Sequence, residues 1–278
     1  VDFIPAAVEA SKAVGQPVKL LWTREDDMTH DAYRPPAFDQ CAAGFDDQGK
    51  LVSWHLHLTS PSITARMFPA VVENAIDPFA IEAAANYPYD VPNVLVEYVP
   101  AEIGIHVGYW RSVGMSINTF AVESAMDELA KAIGADPVQF RLNNLSNSRM
   151  TNVLTKLKTL SNWGTPGGSG RAQGVAIAAG FGSYIGQVAE ISVNATSGAV
   201  TVHRVCAVID CGVAINPDAI KAQMEGAVAQ AISATLYAQQ TFVNGVPQVT
   251  NYNKYRLLRL KDMPQVDVQI IANGEAVG

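Results

Sequence analysis

The sequence predicts an α+β protein built as two mixed α/β lobes, residues 1–165 and 166–278. Three observations carry that expectation. Short alternating apolar runs stand beside helical stretches in both halves, with no regular strand–helix alternation and no convincing repeat. Residues 146–173 are rich in chain punctuation, with Ser146-Asn147-Ser148 and the run GTPGGSG at 164–170, and mark the boundary. A chain of 278 residues that is 49% hydrophobic is long and apolar enough to bury a core in more than one domain.

Residues 1–14 carry apolar positions at helical spacing and are expected to form a buried amphipathic helix that ends at Gly15. Val18 to Thr23, VKLLWT, reads as a strand, and the charged segment Arg24 to Arg34 leads to Pro35-Pro36. Phe38 to Gly44 and Leu51 to Thr59 flank the turn Asp46-Asp47-Gln48-Gly49 and form a hairpin. In its second strand Trp54, Leu56 and Leu58 share one face, while His55 and His57 share the other. Residues 61–92 give little periodic signal, and Asn93 to Val99 is a strand. The helix from Ile117 to Ile133 is expected to bury a stripe of Phe120, Met126 and Leu129. Gly134 ends it, and Asp136-Pro137 starts the next helix, an N-cap followed by a proline at the first helical position. Gly174 to Ala179, Gln187 to Val193 and Val200 to Val208 read as strands, and Asp218 to Ala238 as a helix.

Charged residues make up only 16% of the chain, so further surface is expected to be buried against partner chains rather than all of it facing water. The net charge is −7, with no Lys/Arg cluster, which argues against a nucleic-acid surface. No apolar run has the length of a membrane span, and no signal peptide opens the chain. Cys41, Cys206 and Cys211 lack any CxxC spacing; Cys206 and Cys211 fall in a strand-like run and are expected as small core residues. His55 and His57 have no third partner at ligand spacing and read as surface histidines rather than a zinc site. Trp22, Trp54 and Trp110 are expected in the core. The compartment stays open. The chain starts on Val1 and stops on ANGEAVG, so the natural polypeptide is expected to continue at both ends.

Three segments are candidates for chemistry. Arg111 sits among Gly108, Ser112 and Gly114, in a loop that enters a helix. Glycines let backbone amides approach a ligand, a helix N-terminus favours an anion, and an arginine fork matches oxo or phosphate oxygens. A structural ion pair is the alternative for Arg111. In DCGVAINPDAIKAQMEGAVAQ, Gln223 and Gln230 are seven residues apart and share a helix face with Gly226 between them. That face suits either a polar ligand or ordinary helix packing. GFGSYIGQ at 180–187 is a third small-residue loop, nonspecific by itself. No GxSxG, Walker loop or dinucleotide fingerprint is present.

Taken in order, YWRSVGMSINTFAVESAMDELA, DPVQFRLNNL, AEISVNATSGAVTVHRVCAVIDCGVAINPDAI, QMEGAVAQ and NYNKYRLLR resemble the molybdenum-cofactor-binding large subunits of the xanthine dehydrogenase and aldehyde oxidase family. The resemblance is greatest to the branch of the isoquinoline 1-oxidoreductase beta subunit, and it covers nearly the whole chain. It implies an oxidoreductase whose chemistry belongs to a bound molybdenum-molybdopterin, in the cytosine dinucleotide form in this branch. The implied reaction is oxidative hydroxylation of an N-heteroaromatic or an aldehyde, with water as the oxygen source. The electrons would leave through iron-sulfur clusters on a partner chain. The implied partners are that iron-sulfur subunit and the remainder of the large subunit, in a hetero-oligomer.

The resemblance assigns catalytic roles to Arg111 and Gln223, the latter toward the metal's oxo ligands. Ser112, Val113 and Gly114 lie in the loop against the molybdenum centre, and Gly226 and Gln230 lie near the pterin. Xanthine-type members carry a substrate-stacking aromatic where this sequence has Val113, which weakens any inference of a purine substrate. A GGGFGRR-type loop would precede Val1, and the glutamate base, in a GEPG-type loop, would follow Gly278. Glu275 is not that base. The sequence thus reads as a central to C-terminal part of a larger subunit, carrying part of a site. Two other readings stand beside the enzyme component: a noncatalytic scaffold or partner-binding subunit of such a complex, and an unrelated α+β binding protein.

Overall fold

A computed structural model describes residues 3–278 as an α+β assembly of six helices and three sheets. The first helix, α1, spans Phe3–Val14 and ends at Gly15 with φ +65°; Val1 and Asp2 of the expected helix lie outside the described residues. Contrary to expectation α1 buries no residue, and Phe3, Ile4, Val8 and Val14 are exposed. The helical spacing creates an apolar face, but nothing among the described residues covers it. Val18 to Thr23 is not a strand either. A strand needs a neighbour to take its amide and carbonyl groups, and none among the described residues pairs with it. Thr23 instead caps α2, Arg24–His30, in a capping box with Asp26.

The expected hairpin is present. β1, Phe38–Phe45, pairs antiparallel with β2, Leu51–Ser60. β3, Asn93–Pro100, joins β2 in parallel, giving the order β1-β2-β3. Alternation along β2 buries Trp54, Leu56 and Leu58 on the face that packs on the helices. His55, on the other face, pairs with Glu97 of β3 at 2.6 Å.

The main helix, α3, runs Met115–Ala132, and α4, Pro137–Asn143, starts where Asp136 accepts a hydrogen bond from the Gln139 amide. α3 buries Asn118, Val122, Glu123, Met126 and Ala130 but not Phe120, which is 75% exposed. At about 100° per residue Phe120 stands about 180° from Leu129, so no single stripe holds both. The punctuated segment after 146 holds a further helix, α5, Ser148–Leu160, in which Asn147 is the N-cap. The turn signal at 146–148 is therefore a helix start.

The second sheet has the order β4-β5-β6-β9. β4 (Arg171–Gly180), β5 (Ser183–Val193) and β6 (Val200–Asp210) form an antiparallel meander. α6, Pro217–Leu236, follows β6, and the small hairpin of β7 (Phe242–Val243) and β8 (Val246–Pro247) leads to β9, Gln265–Ile271, parallel to β6. β6 reads as an unbroken apolar run, VCAVI, because both faces of this sheet are covered. Cys206 and Val208 face the main core, while Ala207 and Ile209 meet Met224 of α6. α5 lies so close that a Cβ on Gly186 would stand 3.0 Å from Leu157 and 3.1 Å from Val153. The main core is continuous from β2 through α3, α4 and α5 to β4, β5 and β6.

Of the tryptophans expected in the core, only Trp54 is buried; Trp22 is 40% exposed and Trp110 half-buried. All three cysteines are free, with Cys206 and Cys211 buried. No helix among the described residues is long and apolar enough to cross a membrane.

Candidate functional site

The loop before α3 is shaped by two consecutive residues in left-handed backbone, Ser112 at φ +66° and Val113 at φ +48°. For non-glycine residues this conformation costs roughly 1–2 kcal/mol each. Valine, branched at Cβ, suits it especially poorly. The turn is closed by the Val113 amide on the Trp110 carbonyl, 2.8 Å, and the Ser112 hydroxyl donates to the Arg111 carbonyl, 2.5 Å. Gly114 then begins α3, accepting from the Ile117 and Asn118 amides. Its φ is an ordinary −64°, so glycine is needed for space: a Cβ there would lie 2.1 Å from the Phe79 carbonyl oxygen.

The backing segment is itself held by polar contacts. The Asp77 carboxylate accepts from the Ser62 and Thr64 hydroxyls and from the Thr64 and Phe79 amides. Burial works against its charge, but these donors outweigh it and keep the carboxyl below its usual range. Asn118 of α3 donates 2.7 Å hydrogen bonds to the Ala80 and Glu82 carbonyls, locking that segment to the helix.

This frame presents Arg111 to α6. Its guanidinium donates to Gln230 Oε1 at 2.8 Å and to Gln223 Oε1 at 3.3 Å. Residues 112 and 119 positions away in sequence thus meet the loop on one face. A guanidinium has only donors, so each amide must turn its oxygen to Arg111 and leave its NH2 group free. Arg111 has no carboxylate partner among the described residues. The cluster therefore combines an uncompensated cation with two amide donors, the chemistry of an oxyanion site. Gly226 lies on α6 between the glutamines, and a Cβ there would meet open space, so this face is accessible. Ser112 is exposed beside Arg111, Val113 is half-buried and Gly114 is buried.

Arg111, Ser112 and Gln230 border a cavity of about 500 Å³ that Trp110, Phe120 and Phe181 also line. Phe181 caps the β4–β5 turn at φ +50°, is 81% exposed, and stands next to Gly182 at φ +75°. Met115 packs against Gly180, where a Cβ would come 2.6 Å from the movable end of its side chain. The cavity wall at Ile177 is fixed from behind: its amide donates to Glu123 Oε2 at 2.8 Å. Glu123 also accepts from the Tyr89 hydroxyl, 2.6 Å, and from Arg141 Nε, 3.0 Å. Burial pushes the Glu123 carboxyl up, and Arg141 pulls against that shift.

The sequence had singled out Arg111, Gln223 and Gln230, and the structure brings these three together. Trp110, Phe120 and Phe181 were not recognised as lining residues. The helical wheel held a signal for Phe120, a large apolar residue on the polar side of α3. Asn118 and Asp77, which set the loop, had no signal, because their partners lie across irregular backbone.

Arg111, with the two glutamine oxygens on it, stands beside a partly apolar cavity, an arrangement that suits an anionic group. Two family profiles, both described as molybdopterin cofactor-binding domain, match residues 2–145 and 110–264 and overlap across the Arg111 loop and α3. The chain belongs to this molybdopterin cofactor-binding family, of the xanthine dehydrogenase type. It is 30% identical to isoquinoline 1-oxidoreductase subunit beta of Brevundimonas diminuta, over 98% of this chain and 36% of that protein. It is 31% identical to a membrane-bound aldehyde dehydrogenase [pyrroloquinoline-quinone] of Gluconacetobacter polyoxogenes, over 98% of this chain and 39% of that protein. The chain thus spans between a third and two fifths of the length of these curated relatives. Its fold is that of quinoline 2-oxidoreductase from Pseudomonas putida 86, with a TM-score of 0.81 and 13% identity over 96% of this chain and 59% of that one.

The site suits a molybdopterin on its own geometry. The free amide donors and the uncompensated guanidinium match oxo or phosphate oxygens, and the open space over Gly226 admits a group against the helix.

Proposed function

We propose that this chain is the cofactor-holding part of a molybdenum hydroxylase large subunit that oxidatively hydroxylates an N-heteroaromatic or an aldehyde, with water as oxygen source. One observation carries the reading: among the described residues Arg111 is held by two amide oxygens and no carboxylate, at the border of a cavity. Residues 1–165 form one cofactor-binding lobe, with the YWRSVG loop, and residues 166–278 the second.

In this reading Arg111 and Gln223 are the catalytic contacts. Arg111 directs its charge toward oxygen atoms of the centre, and Gln223 holds the arginine in place while donating through its free NH2 group. Ser112, Val113 and Gly114 shape the loop against the cofactor. Gly226 leaves room over α6, and Gln230 fixes the other arm of the Arg111 fork. When bound, the molybdopterin supplies the redox centre that accepts the substrate's two electrons. The apolar part of the cavity excludes water from the reacting carbon and strengthens the electrostatic contacts around it.

The cofactor is the cytosine dinucleotide form, with iron-sulfur clusters on a partner chain. Among the described residues no group of three or more His, Cys, Asp or Glu is arranged to hold a metal. The partners are an iron-sulfur subunit and the remainder of the large subunit, with a small organic molecule as substrate.

The test is elemental mass spectrometry for molybdenum, with identification of the bound nucleotide and turnover of a heteroaromatic and an aldehyde, on the intact protein purified from its source. The expected result is near one molybdenum per chain and turnover that Arg111→Ala removes. A molybdenum-free protein without turnover overturns the reading and favours a scaffold; full turnover by Arg111→Ala at full molybdenum content overturns the residue assignment.

A further inference from the structure

The cavity beside Arg111 contains a second arginine that the reading above leaves without a task. Arg34 follows α2 just before Pro35-Pro36, and its guanidinium lies 5.2 Å over the Trp110 ring. It makes no ion pair among the described residues. Among the described residues the lining of this cavity includes Arg34 and Arg111 but no aspartate or glutamate, whereas the adjoining cavity on the other side of Arg34 and Trp110 is lined by Asp27 and Asp31. Two cations facing one partly apolar space repel each other and gain from an anion placed between them.

The aromatic residues restrict what carries that anion. Phe181 and Phe120, at 81% and 75%, are the two most exposed phenylalanines of the described chain, and both line this cavity. Neither has a ring partner among the described residues. Phe181 and Gly182, both at positive φ, form the two-residue turn that joins β4 to β5, and that turn presents the Phe181 ring at its exposed tip. Ala176, Ala178 and Ala231 keep the wall between them shallow. Exposed phenyl faces beside small side chains suit a flat ring, which stacks or packs edge-on against them.

We propose that the cavity takes a planar aromatic substrate bearing a carboxylate, and that Arg34, steadied over Trp110, recognises the carboxylate. This rests on the reading of the site as a molybdenum hydroxylase centre and narrows its substrate class. A neutral heteroaromatic offers the exposed Arg34 fork no charged acceptor, and an aliphatic aldehyde leaves both phenyl faces uncovered. Trp110 holds the guanidinium by a cation–π contact without consuming its hydrogen-bond donors, so the fork is free for two carboxylate oxygens.

The experiment compares kcat/KM for a pyridine or quinoline carboxylate with that for the matching carboxamide, in the intact molybdenum-loaded protein and in its Arg34→Gln and Arg34→Lys variants. Molybdenum content is measured on each. The expected result is a preference for the acid of about tenfold or more, expressed mainly in KM, as a charge-assisted hydrogen bond gives. Arg34→Gln should collapse that ratio, and Arg34→Lys should retain part of it. A wild type that oxidises the amide as well as the acid overturns the proposal and leaves the hydroxylase reading standing. An equal loss for both substrates in Arg34→Gln also overturns it. Loss of molybdenum in Arg34→Gln identifies a phosphate of the cofactor as the oxyanion and overturns the substrate assignment. A wild type free of molybdenum that oxidises neither compound overturns the hydroxylase reading, and this assignment with it.

Discussion

Two arginines of this chain meet their partners in opposite ways. Arg141 is fully buried, bonded to Glu123 at 3.0 Å and Asp127 at 2.7 Å, with a further hydrogen bond to the Glu123 carbonyl. Burial disfavours its charge, but Glu123 and Asp127 hold its pKa above the usual value. Arg111 is exposed and, among the described residues, its side chain is bonded only to the neutral oxygens of Gln230 and Gln223. Two carboxylates neutralise the first arginine, while the second has no carboxylate partner among the described residues. The charge of what each arginine touches thus separates the two.

Removing one partner of the buried pair should have the largest effect. Arg141→Leu strands the Glu123 carboxylate and should destabilise the protein by about 3–5 kcal/mol, read by urea or thermal unfolding. A near-normal melting temperature would show that the cluster is not the clamp between α3, α4 and β4. Gly114→Ala comes next. The new Cβ meets the Phe79 carbonyl, not a movable side chain, and forcing it in should cost about 1–3 kcal/mol. It should also displace the Arg111 loop, so an unchanged fold with full turnover would count against that backing contact.

Acid should act at a third place. Asp210 is buried at the end of β6, paired with Arg149 at 2.6 Å and with Asn273. Burial opposes its charge, yet Arg149, the Gly212 amide and Asn273 outweigh it and lower its pKa. A lowered carboxyl stabilises the fold above its unfolded pKa, and the contribution is lost as pH falls through the lower folded value. Stability should therefore fall more steeply on acidification in the wild type than in Asp210→Asn, measured by unfolding between about pH 6 and pH 2. Parallel curves would remove Asp210 from the acid response.

The smallest effect on folding is expected at Arg111. Arg111→Ala removes an exposed side chain and should change stability by no more than about 0.5 kcal/mol, while turnover of the intact protein falls by about a hundredfold or more. A loss of stability comparable to that of Arg141→Leu would erase the distinction between the two arginines.

The sequence carried much of this arrangement because its signals are local. The β1–β2 hairpin, the cap at Asp136, and the spacing of Gln223 and Gln230 all act within one or two turns of chain. Long-range partners had no such signal. VKLLWT has the composition of a strand but finds no ladder among the described residues. Trp110 is as apolar as Trp54, yet it lies half-buried under Arg34 while Trp54 is sealed against the helices.

By itself, then, the sequence determined the α+β class, the bounds of the β1–β2 hairpin, β3, α3, β6 and α6 to within about two residues, and the three polar residues that converge at the site. Periodicity, caps and turns depend on neighbours a few residues away. Tertiary structure alone decided that Arg111 meets amides rather than acids, that Gly114 presses on Phe79, and that Phe120 and Phe181 face one cavity with Arg34. These facts join segments tens to more than a hundred residues apart, and packing, not local chain chemistry, selects such contacts.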